Sequence, residues 1–145
     1  MARTLTLADD VAEAIRAHGR ETYPYECCGA LIGAAGVVTQ VRALPNTTDE
    51  GPRRRFLVRP ADYQQAERAA SEAGAELLGF YHSHPDHPAR PSQYDLDHAW
   101  PSFSYVILSV VSGEAADLRS WTLREDRSGF DEEPLSAVPA LTRNS

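Results

Sequence analysis

Apolar residues recur at helical spacing over residues 6–20, where Leu7, Val11, Ile15 and His18 share one face. Thr6 is placed to cap this helix, and Asp9 and Asp10 fall in its first turn, where carboxylates meet the positive end of the helix dipole. Tyr23-Pro24 ends it. Residues 27–32 and 37–44 read as two strands of a hairpin turned around Gly33 and Gly36. A polar turn over 46–52 leads to a short strand at 54–58. Pro60 then opens a helix to about residue 73, which Gly74 stops. A buried strand at 77–82 feeds a proline-rich loop, 85–91. A short helix at 92–100 ends at Pro101, and strands at 105–111 and 118–123 form a second hairpin around Gly113. The order α-β-β-β-α-β-α-β-β predicts a mixed α/β or α+β domain, not a regular βαβ repeat.

The 145 residues fit one domain, and 42% apolar residues bury a core without disulfides or a structural metal. We expect that domain over residues 1–125. The acidic, proline-containing remainder, 126–145, is expected to pack in part through Phe130 and to fray at its end. A net charge of −7, with every cation an arginine, argues against nucleic acid as the main partner. Neither a secretory signal nor an apolar run of membrane-spanning length is visible, so a soluble, cytoplasmic protein is expected. Cys27 and Cys28 are adjacent, which disfavours a disulfide framework; a cysteine on a strand is usually a small buried hydrophobe. The one basic run, Arg53 to Arg55, reads as a solvated strand end or as a contact for an acidic partner or a peptide carboxylate.

Chemistry concentrates between positions 82 and 98, which hold four of the five histidines together with Asp95 and Asp97. His82 and His84, at i and i+2 on a strand, project from one face about 6.5–7 Å apart at Cα, so both imidazoles reach one ion. Alone, such a pair reads more plainly as a surface feature of a strand end. Ser92 and Asp95 share a face of the short helix; Ser-x-x-Asp after a proline is also a helix capping box. Two nitrogens and one carboxylate leave a fourth tetrahedral position for water, the pattern of a catalytic zinc.

His82-Ser83-His84-Pro85, six further residues, Ser92, two residues and Asp95 together resemble the signature of the JAMM-motif (MPN+) zinc metallopeptidases. Upstream, Pro24-Tyr25-Glu26-Cys27-Cys28-Gly29 is similar to the segment that carries that family's remaining catalytic residue. The resemblance implies a single MPN-like α+β domain, a curved mixed sheet flanked by helices. It implies one zinc per chain held by His82, His84 and Asp95, with Glu26 as general base and Ser92 donating to the oxyanion. The chain looks most like stand-alone prokaryotic members, which act on small ubiquitin-like or sulfur-carrier proteins of β-grasp fold. The implied reaction is hydrolysis of a peptide or isopeptide bond.

Three other readings compete. A non-catalytic MPN scaffold typically lacks the zinc ligands, and a small-molecule zinc amidase would need no protein partner. His82 to His87 also matches H-x-H-x-D-H, which resembles the metallo-β-lactamase dinuclear site. That fold needs histidines well downstream, and none follows His98. Asp86 and His87 are accordingly read as loop residues, and His98 as lying on the polar face of its helix.

Overall fold

The computed structural model describes residues 4–45 and 59–138. The expected turn at 46–52, the strand at 54–58, Arg53 to Arg55 and the end of the chain lie outside the described residues. Among those described, three helices, α1 (Asp9–Thr22), α2 (Pro60–Glu72) and α3 (Gln93–His98), pack around one sheet of eight strands. The strands are β1 (Leu5–Ala8), β2 (Cys28–Ala34), β3 (Val37–Leu44), β4 (Glu76–Pro85), β5 (Ser104–Val111), β6 (Glu114–Leu123), β7 (Phe130–Glu133) and β8 (Leu135–Val138). Their spatial order is β7-β6-β5-β4-β2-β3-β1-β8. The sheet is mixed: β4 runs parallel to β5, and β1 to both β3 and β8, while the remaining pairs are antiparallel.

Alternation along β2 and β4 sorts the core into two layers. Leu31, Cys27 and Tyr81 join Val11 and Ile15 of α1 on one side. Cys28, Ala30 and Phe80 join Ala66 of α2 and Ala99 beyond α3 on the other. Gly29 stands opposite Tyr81, and a Cβ there would collide with the tyrosine ring. The absent side chain leaves room for that ring beside β2, where its hydroxyl meets Nδ1 of His18 at 2.6 Å.

Three expectations need correction. Residues 5–8 are a strand, not the first turn of a helix; Leu5 and Leu7 are buried between β3 and β8, and Ala8, not Thr6, is the N-cap. Strand β6 begins at Glu114, four residues before the expected start. The segment after Asp126 contributes β7 and β8, one at each edge of the sheet. Glu133 of β7 is buried because Ser104 and Ser120 each donate a hydroxyl to its carboxylate at 2.8 Å.

Candidate metal centre

Strand β4 extends through Pro85 and carries His82 and His84 on the face opposite α1. Both are buried. Helix α3 brings Asp95 to them from its first turn, with the carboxylate only 8% exposed. His82 Nε2 and His84 Nε2 lie 3.1 Å apart, and Asp95 Oδ2 lies 3.3 and 3.2 Å from them. Ligand atoms about 2.0–2.1 Å from a tetrahedral ion stand roughly 3.3–3.4 Å from one another, so this near-equilateral triangle has the dimensions of one face of a zinc site.

The hydrogen bonding of His84 agrees with that fit. His84 Nδ1 donates to the Pro88 carbonyl at 2.9 Å, so in the neutral ring the lone pair sits on Nε2, toward the triangle. Burial works against a charge on His84. The hydrogen bond and charge of Asp95, the Pro88 carbonyl and the charge of Glu26 outweigh it and lift its pKa. On His82 burial prevails and lowers the pKa despite Asp95. Burial would raise Asp95, but the two histidines hold it well below the usual carboxylate range. An ionised carboxylate and two imidazole nitrogens converge there, donor types that a divalent cation takes.

Asp95 is fixed twice over. Its Oδ2 accepts the Ser92 backbone N–H at 2.9 Å, while Ser92 Oγ accepts the Asp95 N–H at 3.1 Å, a complete capping box. At the other end of α3, Arg127 donates to the Ala99 carbonyl at 3.1 Å and the Leu96 carbonyl at 3.3 Å. Tyr105 brackets Trp100 just beyond, accepting from its N–H at 2.6 Å and donating to its carbonyl at 3.2 Å. No periodicity or motif marks Arg127 or Tyr105 for this work.

Glu26 lies just ahead of β2 and is 7% exposed. Register explains its placement: Cys28 faces His82, and Ser83 N–H bonds the Cys27 carbonyl at 3.1 Å, so continuing the ladder sets Glu26 opposite His84. Its carboxylate is close enough for its charge to add a small upward push to the pKa of His84. Ser92 is exposed at the N-terminus of α3. The cap occupies an acceptor lone pair of its hydroxyl and leaves the O–H proton available.

The loop after β4 is pinned rather than loose. Ser109 Oγ donates to the His87 carbonyl at 2.7 Å and Trp121 Nε1 to the Ala89 carbonyl at 3.0 Å. Asp86, at φ 58°, accepts from the Tyr23 hydroxyl at 2.6 Å and the Ser112 N–H at 2.8 Å. It serves the turn, and the His87 side chain is exposed, so neither joins the donor triangle. His98 is exposed and stacks on Tyr94 with ring centroids 4.0 Å apart. Burial pushes the pKa of both Cys27 and Cys28 up, as befits inert core thiols. A small, mostly apolar cavity lined by Ala99, Trp100, Tyr105, Ile107 and Phe130 lies against His82 and Asp95. No helix among the described residues is long and apolar enough to cross a membrane.

Comparison with known proteins places this geometry. The profile of the family described as prokaryotic homologs of the JAB domain matches residues 8–124. A desampylase of Haloferax volcanii is 37% identical over 130 residues, covering 85% of this chain and 91% of the relative. A CysO-cysteine peptidase of Mycobacterium tuberculosis is 30% identical over 135 residues, covering 92% and 91%. The solution structure of protein DSY2949 from Desulfitobacterium hafniense superposes with a TM-score of 0.81 at 33% identity, covering 95% of each chain. The crystal structure of AF2198, a JAB1/MPN domain protein from Archaeoglobus fulgidus, shares the fold at TM-score 0.61 and 18% identity, covering 92% and 96%.

Proposed function

Because this chain belongs to the prokaryotic JAB-domain family, an MPN-like α+β fold, we propose that it is a zinc metallopeptidase. Its proposed substrate is a small ubiquitin-like or sulfur-carrier protein of β-grasp fold, cleaved at a peptide or isopeptide bond of the C-terminal tail, in the cytoplasm. The observation that carries the reading is the donor triangle of His82, His84 and Asp95. The names of the relatives, a desampylase and a CysO-cysteine peptidase, support the substrate class.

One zinc would be held by His82, His84 and Asp95. When bound, it supplies Lewis acidity, polarising a carbonyl and lowering the pKa of water from 15.7 to about 7. Glu26, on the His84 side, accepts the proton of the attacking water and returns it to the departing amine, acid–base work worth about 10²–10⁴-fold. Ser92 donates its O–H to the carbonyl oxygen as negative charge develops there. His84 is kept in the ligating tautomer by Pro88, and Asp95 is oriented by the Ser92 N–H.

The test is a carrier extended past its terminal Gly-Gly, incubated with purified protein and weighed by mass spectrometry. Cleavage after the Gly-Gly, with about one zinc per chain, is expected. Glu26→Gln should abolish turnover and keep both zinc and fold. A protein that purifies without metal and cleaves no carrier is a scaffold, and the proposal fails.

A further inference from the structure

We infer that Arg90 selects substrates whose leaving group carries a free α-carboxylate. The proteolytic target would thus be a single amino acid appended to the carrier's C-terminus, in preference to an isopeptide-linked lysine. This rests on the peptidase reading and narrows its substrate. The starting observation is a shared acceptor: the Pro88 carbonyl receives His84 Nδ1 at 2.9 Å and the Arg90 backbone N–H at 2.8 Å. A single carbonyl therefore ties the Arg90 backbone to the ring of a metal donor.

The Arg90 side chain is exposed and has no hydrogen bond or ion pair among the described residues. It lines an open groove of about 410 Å³, whose walls also include Ser92, Leu96, Trp121 and Phe130. Pro91 and Phe130 also line the cavity against His82 and Asp95, so groove and donor site share a wall. The other cation on the groove, Arg119, is neutralised by Asp117 at 2.6 Å and Glu132 at 3.0 Å. On a chain of net charge −7, Arg90 is the groove's available cation among the described residues.

Guanidinium binds carboxylate through two parallel N–H donors, a geometry no neutral terminus satisfies. In a leaving amino acid the carboxyl carbon is two bonds from the scissile nitrogen, which fixes an anion beside the reacting atoms. A lysine Nζ leaving group offers none. The arginine would thus read which kind of amine departs, while the rest of the site acts on any carbonyl.

The experiment compares carriers extended by one alanine after Gly-Gly, ending in acid or in amide, with wild type, Arg90→Ala and Arg90→Lys. Wild type should favour the acid by about 10–100-fold in kcat/KM, the range of a charged hydrogen-bond pair. The preference should fall toward unity in Arg90→Ala and persist in part in Arg90→Lys. Equal cleavage of acid and amide by wild type, or a preference that survives Arg90→Ala, overturns the inference. Equal acceptance of an Asp amide would show that any carboxylate serves, and overturns it too. If no carrier is cleaved, the peptidase reading fails instead. A binding arm then decides on Arg90: the Gly-Gly-Ala acid should shift the Trp121 indole NMR signal where the amide does not, and Arg90→Ala should abolish this. An indole signal that responds equally to both peptides rejects the inference.

Discussion

Arg127→Ala should weaken zinc binding although Arg127 lies outside the donor set. Helix α3 has six residues, far below the length at which an isolated helix holds itself in water. Its order depends on its ends: the Ser92–Asp95 box at one, and the two carbonyls bound by Arg127 at the other. Hydrogen bonds to a charged group contribute about 1.5–3 kcal/mol each when shielded. Arg127 is exposed, so roughly 1–2 kcal/mol for the pair is a better figure. If binding must reorder a loosened α3, that energy is subtracted from zinc affinity and lowers it about 5–30-fold. Competition against a chromophoric chelator measures this, beside melting curves of metal-free and metal-loaded protein. Arg127→Lys should recover part of the loss, since an ammonium still reaches a carbonyl. Unchanged zinc affinity, with equal melting losses in both forms, would refute the link between Arg127 and Asp95.

Other consequences are simpler to read. His84→Ala should lose stoichiometric zinc, as measured by metal analysis, because it removes one of three protein ligands. Ser92→Ala should cost about 1 kcal/mol in denaturant unfolding through the lost cap, and lower kcat by roughly 10²–10³ if the hydroxyl meets the oxyanion. A normal kcat would leave Ser92 as a cap alone. Burial lowers the pKa of His18, with Glu21 partly opposing, so the unfolded chain binds more protons than the folded one near its ordinary value of about 6.5. Its contribution is therefore full above that pH and lost as pH falls through the lowered value. Urea midpoints from pH 7.5 to 5 should fall less steeply in His18→Gln than in wild type, and equal slopes would contradict this.

The donor triangle was legible because it is local. His82, His84 and Asp95 span fourteen positions of one strand, loop and helix, and spacing alone sets two rings on one face. Glu26 was legible only through resemblance; its place opposite His84 comes from pairing of β2 with β4, strands that α2 separates in sequence. Leu7, Val11 and Ile15 fit a helical period, yet Leu7 belongs to a strand, because parallel pairing with β3 and β8 buries the 5–8 segment before Asp9 starts the helix. The acidic Phe130–Glu133 run carries no strand signal of its own. Glu133 is buried by two serine hydroxyls from β5 and β6, partners that no local window contains.

Cap and ligand, which compete as readings of Ser-x-x-Asp in the sequence, turn out to be one device. Oδ2 of Asp95 both accepts the Ser92 N–H and faces the two histidines, so the capping box that closes the first turn of α3 also aims the carboxylate at the donor site. The serine divides its atoms between tasks: its N–H orients Asp95, its oxygen caps the Asp95 N–H, and its hydroxyl proton remains to be donated. A strong cap is therefore no evidence against a site. Where the N3 residue of a capping box is aspartate and two histidines face it, local helix chemistry supplies the orientation that a ligand needs before any ion arrives, and proline on either side of the loop limits the ways the chain can deliver it.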